Sequence, residues 1–170
     1  MSGADRQYTI SLISKTEEIY FILKQFSGQL LSLSLGGEHF WHEMSEKFCQ
    51  YGTVLAVFNT ERNIVGFAAY YDNDLKNKAG FLSMIAVESA VQKNGLGTRL
   101  LAEVEKRALN SGMLQLKLEV HKGNTSAINF YGKHGYFCIK DEGVSWIYQK
   151  ELDSEVWDTA VRFMNTQVEE

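Results

Sequence analysis

The stretch QKNGLGTRLL, residues 92–101, decides how the rest of the chain is read. Gly95 and Gly97 stand between an apolar run, FLSMIAV at 81–87, and a helical pattern that continues to about residue 110. A glycine turn that opens a helix aims unpaired backbone N–H groups, and the positive end of the helix dipole, at one spot. Such a spot suits phosphate. The competing reading is a tight turn whose glycines serve backbone shape alone.

Working outward, Leu100, Leu101, Val104 and Ala108 mark the buried side of the helix, which Gly112 ends. Residues 81–87 are almost continuously apolar, as in a strand buried on both faces. Residues 114–120 alternate, with Leu114, Leu116, Leu118 and Val120 on one side and Gln115, Lys117 and Glu119 on the other. Asn124 or Thr125 then opens a short helix that stops at Gly135, and 136–140 with 144–152 form a hairpin. Upstream, 8–13 alternates as a strand. Ser14 or Thr16 caps a helix carrying Ile19, Ile22, Leu23 and Phe26, with Glu17 and Glu18 in its first turn. Residues 29–37 are loop, 38–50 a second helix, and 53–58 with 64–71 a hairpin; 72–79 are loop. Leu152, Val156, Ala160, Met164 and Val168 recur at steps of four in an amphipathic C-terminal helix. The predicted order is β-α-α-β-β-β-α-β-α-β-β-α: a mixed α/β domain over 1–152 and a helix over 153–170. That helix packs on the domain or on a second subunit of a homodimer; amphipathicity does not choose.

The chain has 170 residues, enough for one domain with a sizeable core. Its 45% hydrophobic and 22% charged residues are ordinary for a folded protein. A net charge of −4 and a pI near 5.6 advertise no basic face for nucleic acid. Cys49 and Cys138 fit no metal spacing. No apolar run approaches membrane-spanning length and the N-terminus is not signal-like, so the expectation is a reduced, cytoplasmic protein without a membrane or nucleic-acid partner.

Two nucleotide readings of the glycine stretch fail. A dinucleotide fingerprint needs a third glycine where Leu100 stands, and a Walker A loop needs a Gly-Lys-Ser/Thr that is missing. A different pattern fits. VESAVQKNGLGTRLL at 87–101 resembles the acyl-CoA-binding signature of the GNAT superfamily of N-acetyltransferases, matched by Gln92, Gly95 and Gly97. LKLEVHKGNTSAINFYGKHGY at 116–136 resembles the second half of that family's pattern through Asn124, Ala127, Ile128, Tyr131, Gly135 and Tyr136. The proline often found before the glutamine is absent, and the loop reads ESAV. The backbone cradle does not need it.

The resemblance implies a GNAT-type acyl-CoA N-acyltransferase fold, a central splayed mixed β-sheet flanked by helices. It implies acetyl-CoA as cosubstrate and no metal. The diphosphate would lie on the backbone of Gln92, Lys93, Asn94, Gly95, Leu96, Gly97 and Thr98. Pantetheine would pair, strand-like, with Ile85, Ala86 and Val87, in a slot whose backbone N–H also serves an oxyanion, with Asn124 at its mouth. Tyr131 would protonate the departing thiolate of coenzyme A. The competing reading of Tyr131 is a half-buried aromatic beside Ile128. Glu119 would be the general base, directly or through water. It lies twelve positions before Tyr131 in a Leu-Glu-Val strand end that resembles the subgroup acetylating protein N-termini. The competing reading of Glu119 is a carboxylate on a solvated strand face.

The implied reaction moves acetyl to a primary amine in a ternary complex, the acceptor being a small molecule, an amino sugar or a peptide N-terminus. Two alternatives share the cradle: a catalytically silent acyl-CoA-binding or regulatory module, and an acyltransferase using a non-acetyl donor. His39 and His42 lack a third ligand and read as satisfied or solvent-facing side chains. Phe40, Trp41, Tyr70, Tyr71 and Trp146 read as core aromatics or as the wall of an acceptor pocket.

Overall fold

The computed structural model describes residues 7–30 and 37–152. Its strands are β1 (Tyr8–Ile13), β2 (Thr53–Asn59), β3 (Ile64–Asp74), β4 (Ala79–Val87), β5 (Gln115–His121), β6 (Phe137–Asp141) and β7 (Ser145–Glu151). Its helices are α1 (Thr16–Phe26), α2 (Glu38–Tyr51), α3 (Leu96–Asn110) and α4 (Thr125–Lys133), with short 3-10 turns at Ser27–Gln29 and Ser89–Val91. Among the described residues the strands make one sheet in the order β1-β2-β3-β4-β5-β7-β6. It is antiparallel except where β4 lies parallel to β5, the two being joined through α3.

Period-two alternation in the central strands assigns side chains to two layers. From β2 and β3, Leu55, Val57, Ala68 and Tyr70 meet Leu100, Leu101, Val104 and Ala108 of α3. The intervening Val54, Ala56, Phe67 and Ala69 meet Ile19, Ile22, Leu23 and Phe26 of α1 with Trp41 and Phe48 of α2. Phe26 and Phe67 pack at a centroid separation of 5.2 Å. Removing either ring would cost on the order of 3–5 kcal/mol.

The element order matches the expectation through residue 152, with local differences. Neither Ser14 nor Thr16 caps α1. The Ile19 N–H donates to the Lys15 carbonyl, so the first turn closes on Lys15, which makes no side-chain cap. The loop expected at 72–79 shrinks because β3 runs on to Asp74 and pairs it with Ala79. Leu114 precedes β5 and is 49% exposed, because its N–H is held by the Lys78 carbonyl in the turn before the strand. Nor is 81–87 buried on both faces throughout: Ser83 is exposed, and Phe81, Ile85 and Ala86 are half-buried.

Ser83 has a structural reason to be exposed. β3 pairs Ala69 with Met84 and Tyr70 with Leu82, so Ser83 is an extra residue on β4 with no partner on β3, a β-bulge. It places Leu82 in the α3 layer and Met84 in the α1–α2 layer. The helix expected at 153–170, and any dimer contact it would make, lie outside the described residues. The chain reaches that point at buried Leu152, whose N–H donates to the Leu114 carbonyl.

Candidate active site

The bulge coincides with the end of strand pairing. β4 and β5 pair from Ala79–Gln115 to Leu82–Leu118 and no further. Beyond that point β4 stays with β3 as far as Val87, and β5 stays with β7 as far as His121. The two strands therefore diverge, and the edge of β4 that faces β5 is left without a ladder. The Glu88 N–H donates to the Val65 carbonyl at 2.9 Å, which fixes the phase of that edge. In an antiparallel pair, peptides alternate between facing the partner and facing away. Ala86, two residues before Glu88, thus faces β3, while Ile85 and Val87 turn their N–H groups into the opening. The Val87 carbonyl is taken by the Gln92 side chain, whose Nε2 donates to it at 3.0 Å. Gln92 thereby ties the opening to the glycine turn.

At the turn, Gly95 is the N-cap of α3 with φ of 73°, a left-handed conformation that glycine takes without a Cβ penalty. Lys93 also has φ of 73°, which is rare for a residue with a side chain. The Arg99 N–H donates to the Gly95 carbonyl at 3.0 Å and starts the helical ladder. The N–H groups of Leu96, Gly97 and Thr98 precede that bond and emerge at the helix end. With no acidic residue in the first turn, this end is positive, and left-handed residues on its approach curve the backbone donors inward. The arrangement fits a diphosphate. At Gly97 a Cβ would lie 3.5 Å from the Phe130 ring of α4, an ordinary contact, so packing there does not require glycine. Thr98 Oγ1 is 3.0 Å from His134 Nε2, and His134 Nδ1 is 2.7 Å from the Phe130 carbonyl.

Asn124 caps α4: its side-chain oxygen accepts the Ala127 N–H at 3.1 Å. One helical turn on, Tyr131 is 8% exposed, inside the α3-side core. Burial pushes its phenol well above the usual tyrosine value, so the hydroxyl keeps its proton. Yet no hydrogen bond to the described protein holds that hydroxyl, and among the described residues no fully buried side-chain oxygen lacks a partner, so it reaches accessible space. The neighbouring Tyr136, 5.6 Å away ring to ring, is different. Its hydroxyl donates at 2.9 Å to Glu105, a carboxylate 3% exposed that also takes Lys150 Nζ at 2.7 Å.

Glu119 is exposed on β5, as its place in the alternation predicts, and it accepts a very short hydrogen bond from the hydroxyl of Ser145 on β7. Ser145 is 4% exposed. Sequence reasoning missed Ser145, Glu105 and His134. For His134 the signal was present, four residues after Phe130 and three after Tyr131 on one helical face. Ser145 and Glu105 acquire partners only through β5–β7 pairing and the docking of α3.

Elsewhere, His39 pairs with Glu43 at 3.3 Å and His42 stacks on Tyr20 at 4.3 Å. No group of three or more metal-ligating side chains occurs among the described residues. Trp41 and Tyr70 are core residues, and Tyr71 stacks on Phe48. Trp146 is half-buried beneath Lys122 with its indole N–H toward Asp141. A cavity of about 350 Å³ bordered by Tyr70, Asp72 and Arg107 opens at the C-terminal end of α3, the far end from the glycine turn. No described helix is long and apolar enough to cross a membrane.

Residues 18–136 match the sequence model of the acetyltransferase (GNAT) family. Over 80 residues, 47% of this chain and 49% of the relative, the sequence is 31% identical to spermidine N(1)-acetyltransferase of Thermoplasma acidophilum. Over 53 residues, 31% of this chain and 33% of the relative, it is 38% identical to the uncharacterized protein YdhI of Bacillus subtilis. The chain thus spans about half or less of the length of these curated relatives. Among solved structures it resembles the PaiA N-acetyltransferase of Thermoplasma acidophilum in complex with coenzyme A. That likeness has a TM-score of 0.64 at 19% identity, covering 84% of this chain and 99% of the other. It also resembles a GNAT-family acetyltransferase of Staphylococcus aureus, with a TM-score of 0.66 at 18% identity over 85% of this chain and 100% of the other. At such identities the structural likeness speaks to the fold.

Proposed function

The chain belongs to the acetyltransferase (GNAT) family, and on that footing we propose that it transfers acetyl from acetyl-CoA to a primary amine by direct attack in a ternary complex. The observation that carries this reading is the divergence of β4 and β5 after Leu82 and Leu118, next to the positive end of α3. The open β4 edge offers the N–H groups of Ile85 and Val87 to pantetheine or to the oxyanion, and the backbone of residues 92–98 takes the diphosphate. Ala86 turns its peptide to β3 and packs its side chain against the α1–α2 layer, so it contributes to this wall only as backbone between Ile85 and Val87. Holding donor and acceptor together supplies much of the acceleration.

Tyr131 is the general acid in this scheme. Its phenol is protonated, lies on the helix that follows β5, and makes no hydrogen bond to another described residue. Glu119 is the general base, directly or through water, and Ser145 holds one of its carboxylate oxygens. Asn124 acts chiefly by starting α4 and so setting where Tyr131 stands. The relative from Thermoplasma, by its name, acts on spermidine, which supports an amine acceptor here.

The test is release of free coenzyme A thiol from acetyl-CoA over a panel of polyamines, amino sugars and peptides with free N-termini. Acceleration by one amine class is expected. Tight binding of coenzyme A with no acceleration by any amine would replace this reading with a silent acyl-CoA-binding module.

A further inference from the structure

Period-two alternation puts Tyr70 and Asp72 on the side of β3 that α3 covers. α3 stops at Asn110, and the chain turns away through Gly112 with φ of 88°. The cavity of about 350 Å³ lies past this last turn, with Tyr70 as its most buried side chain and exposed Leu12 of the edge strand β1 at its rim. Its size is at the small end of the range for ligand pockets, about 300–1,000 Å³. The 15 residues of α3 place it about 22 Å from the glycine turn.

Two opposite charges border this cavity and do not meet. Arg107 donates from Nε to Glu103 at 2.7 Å, and among the described residues its two terminal nitrogens make no hydrogen bond. Asp72 accepts the Ser111 hydroxyl on Oδ2 at 2.6 Å, and among the described residues it forms no ion pair and its Oδ1 accepts no hydrogen bond. Both charges still act on one hydroxyl. Burial first, and then Asp72, raise the Tyr70 phenol to about 12, against a hydrogen bond with Thr53 and the charge of Arg107; Glu103 adds a smaller rise. That hydroxyl keeps its proton and lies within electrostatic reach of both. Asp72 and Glu103 together outweigh Arg107 and oppose an anion, while the open guanidinium fork opposes a simple cation. A molecule carrying both charges satisfies each wall.

We propose that this cavity binds a free α-amino acid with an apolar side chain, the carboxylate taken by the Arg107 fork, the ammonium by Asp72, and the side chain laid on Leu12. A peptide N-terminus lacks the adjacent carboxylate and a peptide C-terminus lacks the ammonium, so the free amino acid is the ligand specified. Ser111 holds Asp72 in place. No bond is made or broken, and the site is independent of the acetyl-transfer reading.

The experiment titrates the full chain calorimetrically with L-leucine and L-methionine, beside two leucine analogues: 3-methylbutylamine, without the carboxylate, and 4-methylpentanoate, without the ammonium. A charged hydrogen-bonded anchor is worth about 10–100-fold, so wild-type protein should bind leucine that much more tightly than either analogue. Asp72→Asn keeps an acceptor for Ser111 and should weaken leucine by the same factor. In that variant, removing the ligand's ammonium should then change affinity by less than about twofold. In Arg107→Met the corresponding loss should fall on the carboxylate. Failure of both amino acids to bind at about 10 mM, where a ligand of millimolar affinity would fill about nine-tenths of the sites, overturns the proposal. So does an amine analogue that binds as tightly as leucine. A preference for the zwitterion that is unchanged in both variants also overturns it, because the amino acid then sits elsewhere. The analogue comparison on wild-type protein needs no substitution, so a variant that fails to fold leaves the proposal refutable.

Discussion

Two tyrosines whose rings touch should respond in opposite ways to the same one-atom change. In Tyr131→Phe the lost hydroxyl has no hydrogen bond to the described protein, so folding stability should stay within about 0.5 kcal/mol of the parent. If the phenol is the proton donor to the leaving thiolate, turnover should fall by about 10²–10⁴-fold. That is about 2.7–5.4 kcal/mol of barrier at about 1.36 kcal/mol per decade. Coenzyme A affinity should not change. In Tyr136→Phe the lost hydroxyl was satisfying Glu105, a buried carboxylate left with Lys150 alone. The expected cost is about 1–3 kcal/mol of stability. At about 2–4 °C per kcal/mol that lowers the melting temperature by about 2–12 °C. Turnover per folded molecule should be nearly unaffected. Urea denaturation and thiol release on both variants decide the matter. If Tyr131→Phe keeps its turnover, Tyr131 is not the acid. If it loses as much stability as Tyr136→Phe, its hydroxyl is not free.

Three further outcomes follow from the geometry. Gly95→Ala forces a side chain into the left-handed region and should cost about 1–2 kcal/mol with weaker coenzyme A binding, whereas Gly97→Ala makes only an ordinary contact with Phe130 and should retain both properties; parallel melts and coenzyme A titrations read this, and equal losses would show the cradle does not depend on φ at residue 95. Glu119→Gln should slow transfer to amines without changing coenzyme A affinity, and an unchanged rate in a panel of amines would remove it as base. Burial raises the phenols of Tyr70, to about 12, and of Tyr131 and Tyr136. An unfolded tyrosine ionises near about pH 10, so the stability they contribute is complete below that pH. It falls above it by about 1.4 kcal/mol per pH unit for each tyrosine, until the folded-state value is passed. Urea midpoints measured from pH 9 to 11 should drop, and a flat profile would contradict the burial of these phenols.

The order of elements was legible because each element carries its own period: helical spacing at Leu100, Leu101, Val104 and Ala108, alternation at Leu116, Leu118 and Val120. The glycine turn was legible because backbone conformation there demands glycine at residue 95. What eluded the sequence depends on pairing between distant segments. Leu114 fits the alternation and still lies outside the strand, because Lys78 holds its N–H. Nothing local marks Ser145 as the partner of Glu119, or Glu105 as the buried anion between Tyr136 and Lys150. Among Ile85, Ala86 and Val87, only the phase of the β3 ladder tells which peptides face the opening.

The bulge at Ser83 makes the opening a matter of chain length. Deleting Ser83 would leave Leu82 in the α3 layer and Met84 in the α1–α2 layer, and would remove the register shift between Ala69 and Tyr70 from the β3 ladder. Every core contact could survive, and the bend that leads β4 away from β5 would not. The protein can thus lose its cleft while keeping its core, by the loss of one exposed serine that contributes no side chain to the chemistry. A survey of substitutions at position 83 would find a tolerant site. Only a change in the count of residues between Leu82 and Met84 exposes what that position does.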